Sequence, residues 1–437
     1  MTDFEQRAPD WLSVRDALVR VLNRATPLEP EEVSPKESLG RALAQGVLAR
    51  APLPPWDNAA MDGYAVRGQD VRGASRKAPI SLEVVGETRA GEVAGRALVR
   101  GEAIRIMTGA PIPPGADTVI RVEDTDAEES PGRVVVFSDA DLGRHIRPGG
   151  QDMRGGEEVL TPGTTMGPGQ LGLLFATGAR TVRVHRKPRV AILSNGDELV
   201  PPEEFRRVLS GKGIPETNGP TLEAAVSLAG GIPLPLGIAG DDPTEILEKV
   251  EQGRAQGMDI LLTSGGASLG EKDLFKRVLV EAGLSLDFWR VKMRPGTPFS
   301  FGFLDRDNDR PIAVFGLPGN PASSFVTFQV FCRPFLLRTG GHRRIHRPVL
   351  EGIAGETLNS PSHLTHFFRA ILKGDPARPE AFLTGPQTSG LIRSQGLARA
   401  LAIVPEGTST LEAGEAVRVM LLDDFGLGGE DVAFLPS

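Results

Sequence analysis

Apolar residues first recur at helical spacing. Val14, Ala17, Leu18, Val21 and Leu22 share one face, with Ser13 placed to cap the segment. Residues 35–48 predict a second helix, with Ser34 as N-cap, Pro35 at its first position and Glu37 as the reciprocal partner of a capping box; Gly40 interrupts it. From about residue 50 to 155 the pattern changes. ISLEVVGET, GEAIRIMTGA, DTVIRVEDTD and GRVVVFS read as short strands between Gly/Pro turns, which predicts a compact β domain. TTMGPGQLGLLFATG (164–178) returns to a short helix.

Residues 185–340 alternate between apolar runs and amphipathic segments. KPRVAILSNGDEL, IPLPLGIAG, MDILLTSGG and RPIAVFGLPGNP are strands. Between and after them lie the helices GPTLEAAVSLAGG, DDPTEILEKVEQGRAQG, DLFKRVLVEAG and ASSFVTFQVFCRPFLL, with Asp242 an N-cap ahead of Pro243. This alternation predicts a parallel sheet with helices on both faces. Beyond His346 the pattern is β-like again (FFRAILK, LARALAIVP, EAVRVMLL), giving a small C-terminal domain.

Length and composition narrow the function classes. A chain of 437 residues exceeds one ordinary core and predicts two to four domains. The 53 glycines and 36 prolines imply many turns. A net charge of −7 without a basic stripe argues against nucleic acid, and no apolar stretch reaches membrane-spanning length. The lone Cys332, set in an apolar helical pattern, predicts a buried, inert thiol and excludes an intrachain disulfide. The polar N-terminus lacks a signal-peptide core, so the cytoplasm is the expected compartment.

In an open parallel sheet, ligands bind beyond the carboxyl ends of the strands. Three such ends carry unusual loops: residues 194–198 (SNGDE), 263–273 (TSGGASLGEKD) and 316–321 (GLPGNP). Their glycines let backbone N–H groups approach a ligand, and the helix starts that follow favour negative charge. Any one loop is equally well explained as a plain connection; three together point to an anion, with a phosphate the expected kind. Glu198, Asp241, Asp242 and Asp273 lie in or beside strand-end loops, and carboxylates around a phosphate imply a metal, most often Mg²⁺. Asp242 and Asp273 are equally readable as helix caps, whereas Glu198 has no evident structural task. Asp57 and Asp62 in residues 56–67, Thr108 in 105–110, and Arg147 and Asp152 in 147–152 mark dense segments of the β domain. Lys292 and Arg294, beside a Pro-Gly turn, offer cations for an oxyanion.

The ordered set WDNAAMDGYAVR, RIMTGAPIPPGAD, IRPGGQD, LSNGDELV, TSGGASLGEKD, MRPGTPFSFG and GLPGNPASS resembles the MoeA-type molybdopterin molybdenumtransferases, relatives of the gephyrin E domain. The match is strong over residues 10–345 and thinner beyond. The resemblance implies a multi-domain α/β plus β fold. A MogA-like doubly wound α/β domain would comprise residues 1–23 and 180–345, a small helical linker subdomain 24–48 and 158–179, an inserted β domain 49–157, and a C-terminal β barrel 346–437. It further implies a homodimer that inserts molybdate into adenylylated molybdopterin, with Mg²⁺ and release of AMP.

Carried over by position, Asp62, Asp152, Glu198, Asp242 and Asp273 are the expected catalytic acids, and Glu198, Asp241, Asp242 and Asp273 the expected metal ligands. Thr108, Arg147, Ser264, Gly265, Gly266, Lys292, Arg294, Pro318, Gly319, Asn320, Pro321 and Arg369 are expected to bind substrate. In a dimer, Asp62 would complete the partner's site. MogA-type adenylyltransferases and apo-molybdoenzymes are the expected protein partners. Two positions depart from the family pattern: Thr297 where a second Lys is common, and Gln151 in place of a Glu. The alternatives are molybdopterin adenylyl transfer, disfavoured by the extra domains, and a non-catalytic gephyrin-like scaffold, disfavoured by the complete set of acids.

Overall fold

A computed structural model describes residues 11–92, 96–129, 131–265, 274–306 and 310–422. The first helix, α1 (Val14–Asn23), starts where the sequence places it, with the Ser13 side chain accepting from the Asp16 N–H. Its buried face, Ala17, Val21 and Leu22, is the predicted apolar stripe.

The predicted helix over residues 35–48 does not form. Ser34 and Glu37 do make their contact, the Ser34 N–H donating to Glu37 Oε2 at 3.0 Å, but only a 3-10 turn (Lys36–Ser38) follows. Gly40 takes φ +75°, which breaks the helical path. The backbone beyond it pairs across to residues 158–185 instead: Leu43 N–H to the Thr164 carbonyl, Ala44 N–H to Arg183. Pro30–Val33 likewise pairs antiparallel with Val182–His185. These segments, with helix α2 (Pro168–Ala176), bury Leu43, Leu160, Met166, Leu174, Val182 and Val184 as a small core.

The predicted β region contains a five-stranded sheet: β1 (Gly63–Val66), β2 (Ser75–Thr88), β3 (Glu102–Ile106), β4 (Thr118–Arg121) and β5 (Arg133–Ser138), in the order β4-β1-β3-β2-β5. Tyr64, the only tyrosine in the chain, is fully buried, and its hydroxyl donates to Glu128 Oε1 at 3.0 Å.

The α/β domain holds β6 (Arg189–Asn195), β7 (Ile232–Ala239), β8 (Ile260–Ser264), β9 (Leu284–Trp289), β10 (Ser300–Leu304) and β11 (Ile312–Leu317), in the order β7-β6-β8-β11-β10-β9. The first four in that order are parallel, as expected. β9 and β10 form an antiparallel edge that the alternation argument did not include. Alternation along the parallel strands divides the core between two faces. Val190, Ile192, Ile260, Leu262 and Phe315 face α1, α3 (Asn218–Leu228) and the helix after β11. Ala191, Leu193, Leu261 and Val314 face α4 (Pro243–Ala255) and α5 (Leu274–Glu281). The helix after β11 runs as α6 (Pro321–Thr327), a π turn (Phe328–Cys332) and α7 (Arg333–Thr339). Pro334 cannot donate to the preceding turn, which accounts for the local widening. Cys332 is buried there, and burial pushes its thiol well above the ordinary range.

The C-terminal region closes into a barrel of five strands: β12 (Val349–Ala354), β13 (Thr365–Lys373), β14 (Glu380–Leu383), β15 (Ala400–Val404) and β16 (Ala416–Leu421). The pairings run β13-β14-β12-β16-β15 and back to β13. Met293–Arg294, from the cation-bearing turn, adds to this sheet as a short parallel strand against Thr365 and His366. No helix among the described residues is long and apolar enough to cross a membrane.

Candidate active site

A cleft of about 710 Å³ opens at the carboxyl ends of β6, β8 and β11. From the predicted set it gathers Glu198, Ser264, Gly265, Pro318, Gly319, Asn320 and Pro321. Gly265 takes φ +99°, and a Cβ there would run into the Asn195 carbonyl oxygen, so only glycine permits the β8 turn to lie against the β6 turn. Gly319 approaches the same turn, its Cβ position lying 3.5 Å from the Gly265 Cα. Gly266 and Asp273 fall outside the described residues.

The segment 214–218, which the motif reading passed over, supplies the opposite wall. Ile214, Pro215, Glu216, Thr217 and Asn218 all line the cleft. Asn218 Nδ2 donates to Ser264 Oγ at 2.6 Å and to the Gly319 carbonyl at 2.7 Å, tying three loops together. Glu216 Oε1 accepts from Ser194 Oγ at 2.9 Å and from the Gly219 N–H at 2.7 Å. The available signal was the Glu-Thr-Asn run just ahead of Pro220, where helix-start chemistry collects. Gly390 and Ile392 reach the cleft from the C-terminal region, a contact no local pattern announces.

The Glu198 side chain is exposed at the cleft, and its carboxylate makes no hydrogen bond or ion pair to another described residue. The other expected metal ligands behave differently. Asp242 accepts from the Thr244 N–H at 2.9 Å as the N-cap of α4, and neither it nor Asp241 lines the cleft. Among the described residues no group of three or more His, Cys, Asp and Glu side chains is arranged to hold a metal ion. Of the expected metal ligands among the described residues, Glu198 alone borders the cleft.

The second cluster lies in the β region. Asp62 Oδ1 accepts from both the Thr108 N–H and the Thr108 hydroxyl at 2.7 Å, and those bonds hold its carboxyl below the usual range. The Gly109 N–H donates to the Ala59 carbonyl at 2.8 Å, Asn58 pairs with Arg147, and Asp57 accepts from the Gly149 N–H at 2.8 Å. Three segments far apart in sequence thus meet on one exposed surface. Asp62, Thr108, Arg147 and Asp152 are all exposed, and none lines the cleft.

The cationic turn reaches the cleft lining through Pro298, but its two cations do not. Lys292 Nζ pairs with Glu406 at 3.2 Å, Arg294 is exposed, and Thr297 Oγ1 donates to the Met293 carbonyl at 2.6 Å. Thr297, where the family pattern often has Lys, therefore closes the turn. Arg369, expected to touch substrate, is fully buried instead. Its Nε donates to Ser394 Oγ at 2.7 Å and its Nη2 to the Thr388 carbonyl at 3.1 Å. Burial lowers its guanidinium to about 10, leaving it charged at neutral pH.

The chain matches the MoeA N-terminal region (domain I and II) over residues 12–178, a probable molybdopterin binding domain over 191–338, and the MoeA C-terminal region (domain IV) over 351–422. A molybdopterin molybdenumtransferase of Nostoc sp. is 33% identical, covering 94% of this chain and 94% of its own length. The chain belongs to the MoeA-type molybdopterin molybdenumtransferases. A second member of the family, from Bacillus subtilis, is 33% identical over 96% of this chain and 95% of its own. A solved MoeA-type structure, a molybdopterin biosynthesis protein from Pyrococcus horikoshii, superposes with a TM-score of 0.81 at 28% identity, covering 94% of this chain and 100% of that one.

Proposed function

We propose that this protein inserts molybdate into adenylylated molybdopterin and releases AMP, yielding molybdenum cofactor. The observation that carries this reading is the cleft itself. It is large enough for a small-molecule ligand, walled by glycine turns and by the first residues of α3 and α6, and bordered by a carboxylate with no described partner. Ser264, Asn218 and the backbone around Gly319 would hold the phosphoanhydride. Lys292 and Arg294, on the turn that joins the cleft domain to the barrel, would receive molybdate as an oxyanion.

Mg²⁺ typically takes one or two carboxylates and completes its shell with water and substrate phosphates. Glu198 fits that role. Bound Mg²⁺ would neutralise charge on the phosphoanhydride. Asp273 remains a proposed second acid, and Asp241 and Asp242 a more distant pair. The Asp62 surface carries activity-linked positions of the family yet stands apart from the cleft lining. We therefore assign Asp62, Thr108, Arg147 and Asp152 to the cleft of a second copy in a homodimer. Partner adenylyltransferases and apo-molybdoenzymes would supply the substrate and accept the product.

Purified protein given adenylylated molybdopterin, Mg²⁺ and molybdate should release AMP and yield cofactor that activates an apo-molybdoenzyme. A folded dimer that releases no AMP would overturn the reading.

A further inference from the structure

We infer that Ser389 is a positioning residue: it latches a loop of the C-terminal barrel onto the start of α6 and thereby completes one wall of the cleft. The inference rests on the cleft being the transferase site.

A helix begins with N–H groups that lack partners within the helix, and these are usually met by a side chain of the N-cap residue. At α6 the N-cap is Asn320, yet its side chain makes no capping bond. Its Nδ2 donates instead to Ser389 Oγ at 3.0 Å, while the Ala322 N–H donates to the Ser389 carbonyl at 3.1 Å. The cap of this helix is thus a residue from another region of the chain. The next positions, Gly390 and Ile392, line the cleft.

The loop that carries Ser389 is fixed from behind. The Arg369 N–H donates to Gln387 Oε1 at 2.9 Å, and Gln387 Nε2 returns a bond to the Arg369 carbonyl at 3.1 Å. The Thr384 N–H reaches the same carbonyl at 3.1 Å. With the Arg369 guanidinium on Ser394 and Thr388, both ends of the loop are pinned to β13. Ser389 is where this pinned loop engages α6. The polar buried arginine explains itself as the anchor, and the serine as the point that sets where Gly390 and Ile392 stand over the substrate.

Ser389→Ala keeps the backbone carbonyl and deletes only the hydroxyl. Loss of one neutral hydrogen bond predicts a KM for adenylylated molybdopterin raised by about three- to tenfold, with kcat changed far less and the thermal midpoint in place. Ser389→Thr, which keeps a hydroxyl, should restore the KM. Amide exchange without substrate should speed up at Ala322 and across residues 384–392 in the alanine variant. An unchanged KM in Ser389→Ala overturns the latch, as does a faster enzyme, which would make the loop an obstruction. The wild-type control separates the two readings. If wild type releases no AMP, the proposed function fails; if it does and the variant matches it, only the latch fails.

Discussion

The cleft of the α/β domain and the Asp62 surface of the β region are both built from glycine-rich turns, yet they present opposite chemistry. In the cleft, Glu198 is uncommitted, and the glycines of two turns lie close enough that a Cβ at Gly265 would strike its neighbour. On the β surface, Asp62 is already held by both donors of Thr108, and it lies outside the lining of that cleft. One region is a receptacle awaiting charge, the other a charge fixed in advance. Two such halves make sense if they belong to one site assembled from two chains, with the fixed acid delivered into the open cleft.

The comparison can be broken at either half. Glu198→Gln should lower AMP release by at least about a hundredfold, since a group that organises charge in the transition state is removed. Its thermal midpoint should hold, because exposed substitutions cost within about 0.5 kcal/mol. Full activity would remove Glu198 from the chemistry. Asp62→Ala should cost about tenfold or more in turnover, the scale of a charge-assisted contact. Mixing Asp62→Ala with Glu198→Gln chains should then regain activity that neither parent has. No recovery in verified mixed dimers would place each acid in its own chain's site.

Thr108→Val tests the fixed charge more gently. The Thr108 hydroxyl is the largest cause of Asp62's lowered carboxyl, so its loss should raise that carboxyl and move the acid limb of the activity profile to higher pH. The sign follows from the depression. A carboxyl lowered in the folded state keeps its charge until the pH falls through that lowered value, and without the hydroxyl it protonates earlier. An unmoved acid limb would detach Asp62 from the rate. The smallest effect belongs to Asp242→Ala, which should cost about 1 kcal/mol of stability as a lost cap while leaving turnover near wild type. A large fall in activity would show that Asp242 serves the chemistry as well as the cap.

Most of the fold was legible because strand and helix periods differ and capping residues are local. Ser13, Asp242 and the helix begun at Pro243 sit where the pattern put them. The failure at residues 35–48 has the opposite origin: a correct local cap at Ser34 was overridden by pairing with a strand more than 100 residues away. The antiparallel β9–β10 edge escaped because Leu284–Trp289 and Ser300–Leu304 fall outside the strand–helix alternation and do not read as strands from it. In the site, glycine loops at strand ends were readable, whereas Glu216 and Asn218 were overlooked as part of a helix start. Arg369 shows the limit of carrying a role over by position. Its type was readable, but its complete burial and its bond to Ser394 depend on distant packing that position alone does not announce.

The placement of α1 also bears on synthesis. Its buried face packs in one core with residues of the helix after β11, and Leu28 just beyond it bonds to the Thr339 carbonyl at 2.9 Å. A ribosome delivers α1 first and its partners some 300 residues later, after the entire five-stranded sheet has emerged. Domains generally fold as units during translation, and contacts of long sequence separation form slowly. The β unit can therefore close while α1 waits with its apolar stripe uncovered. The stripe is covered only once the helix after β11 has emerged, so the doubly wound domain becomes whole only after the β unit.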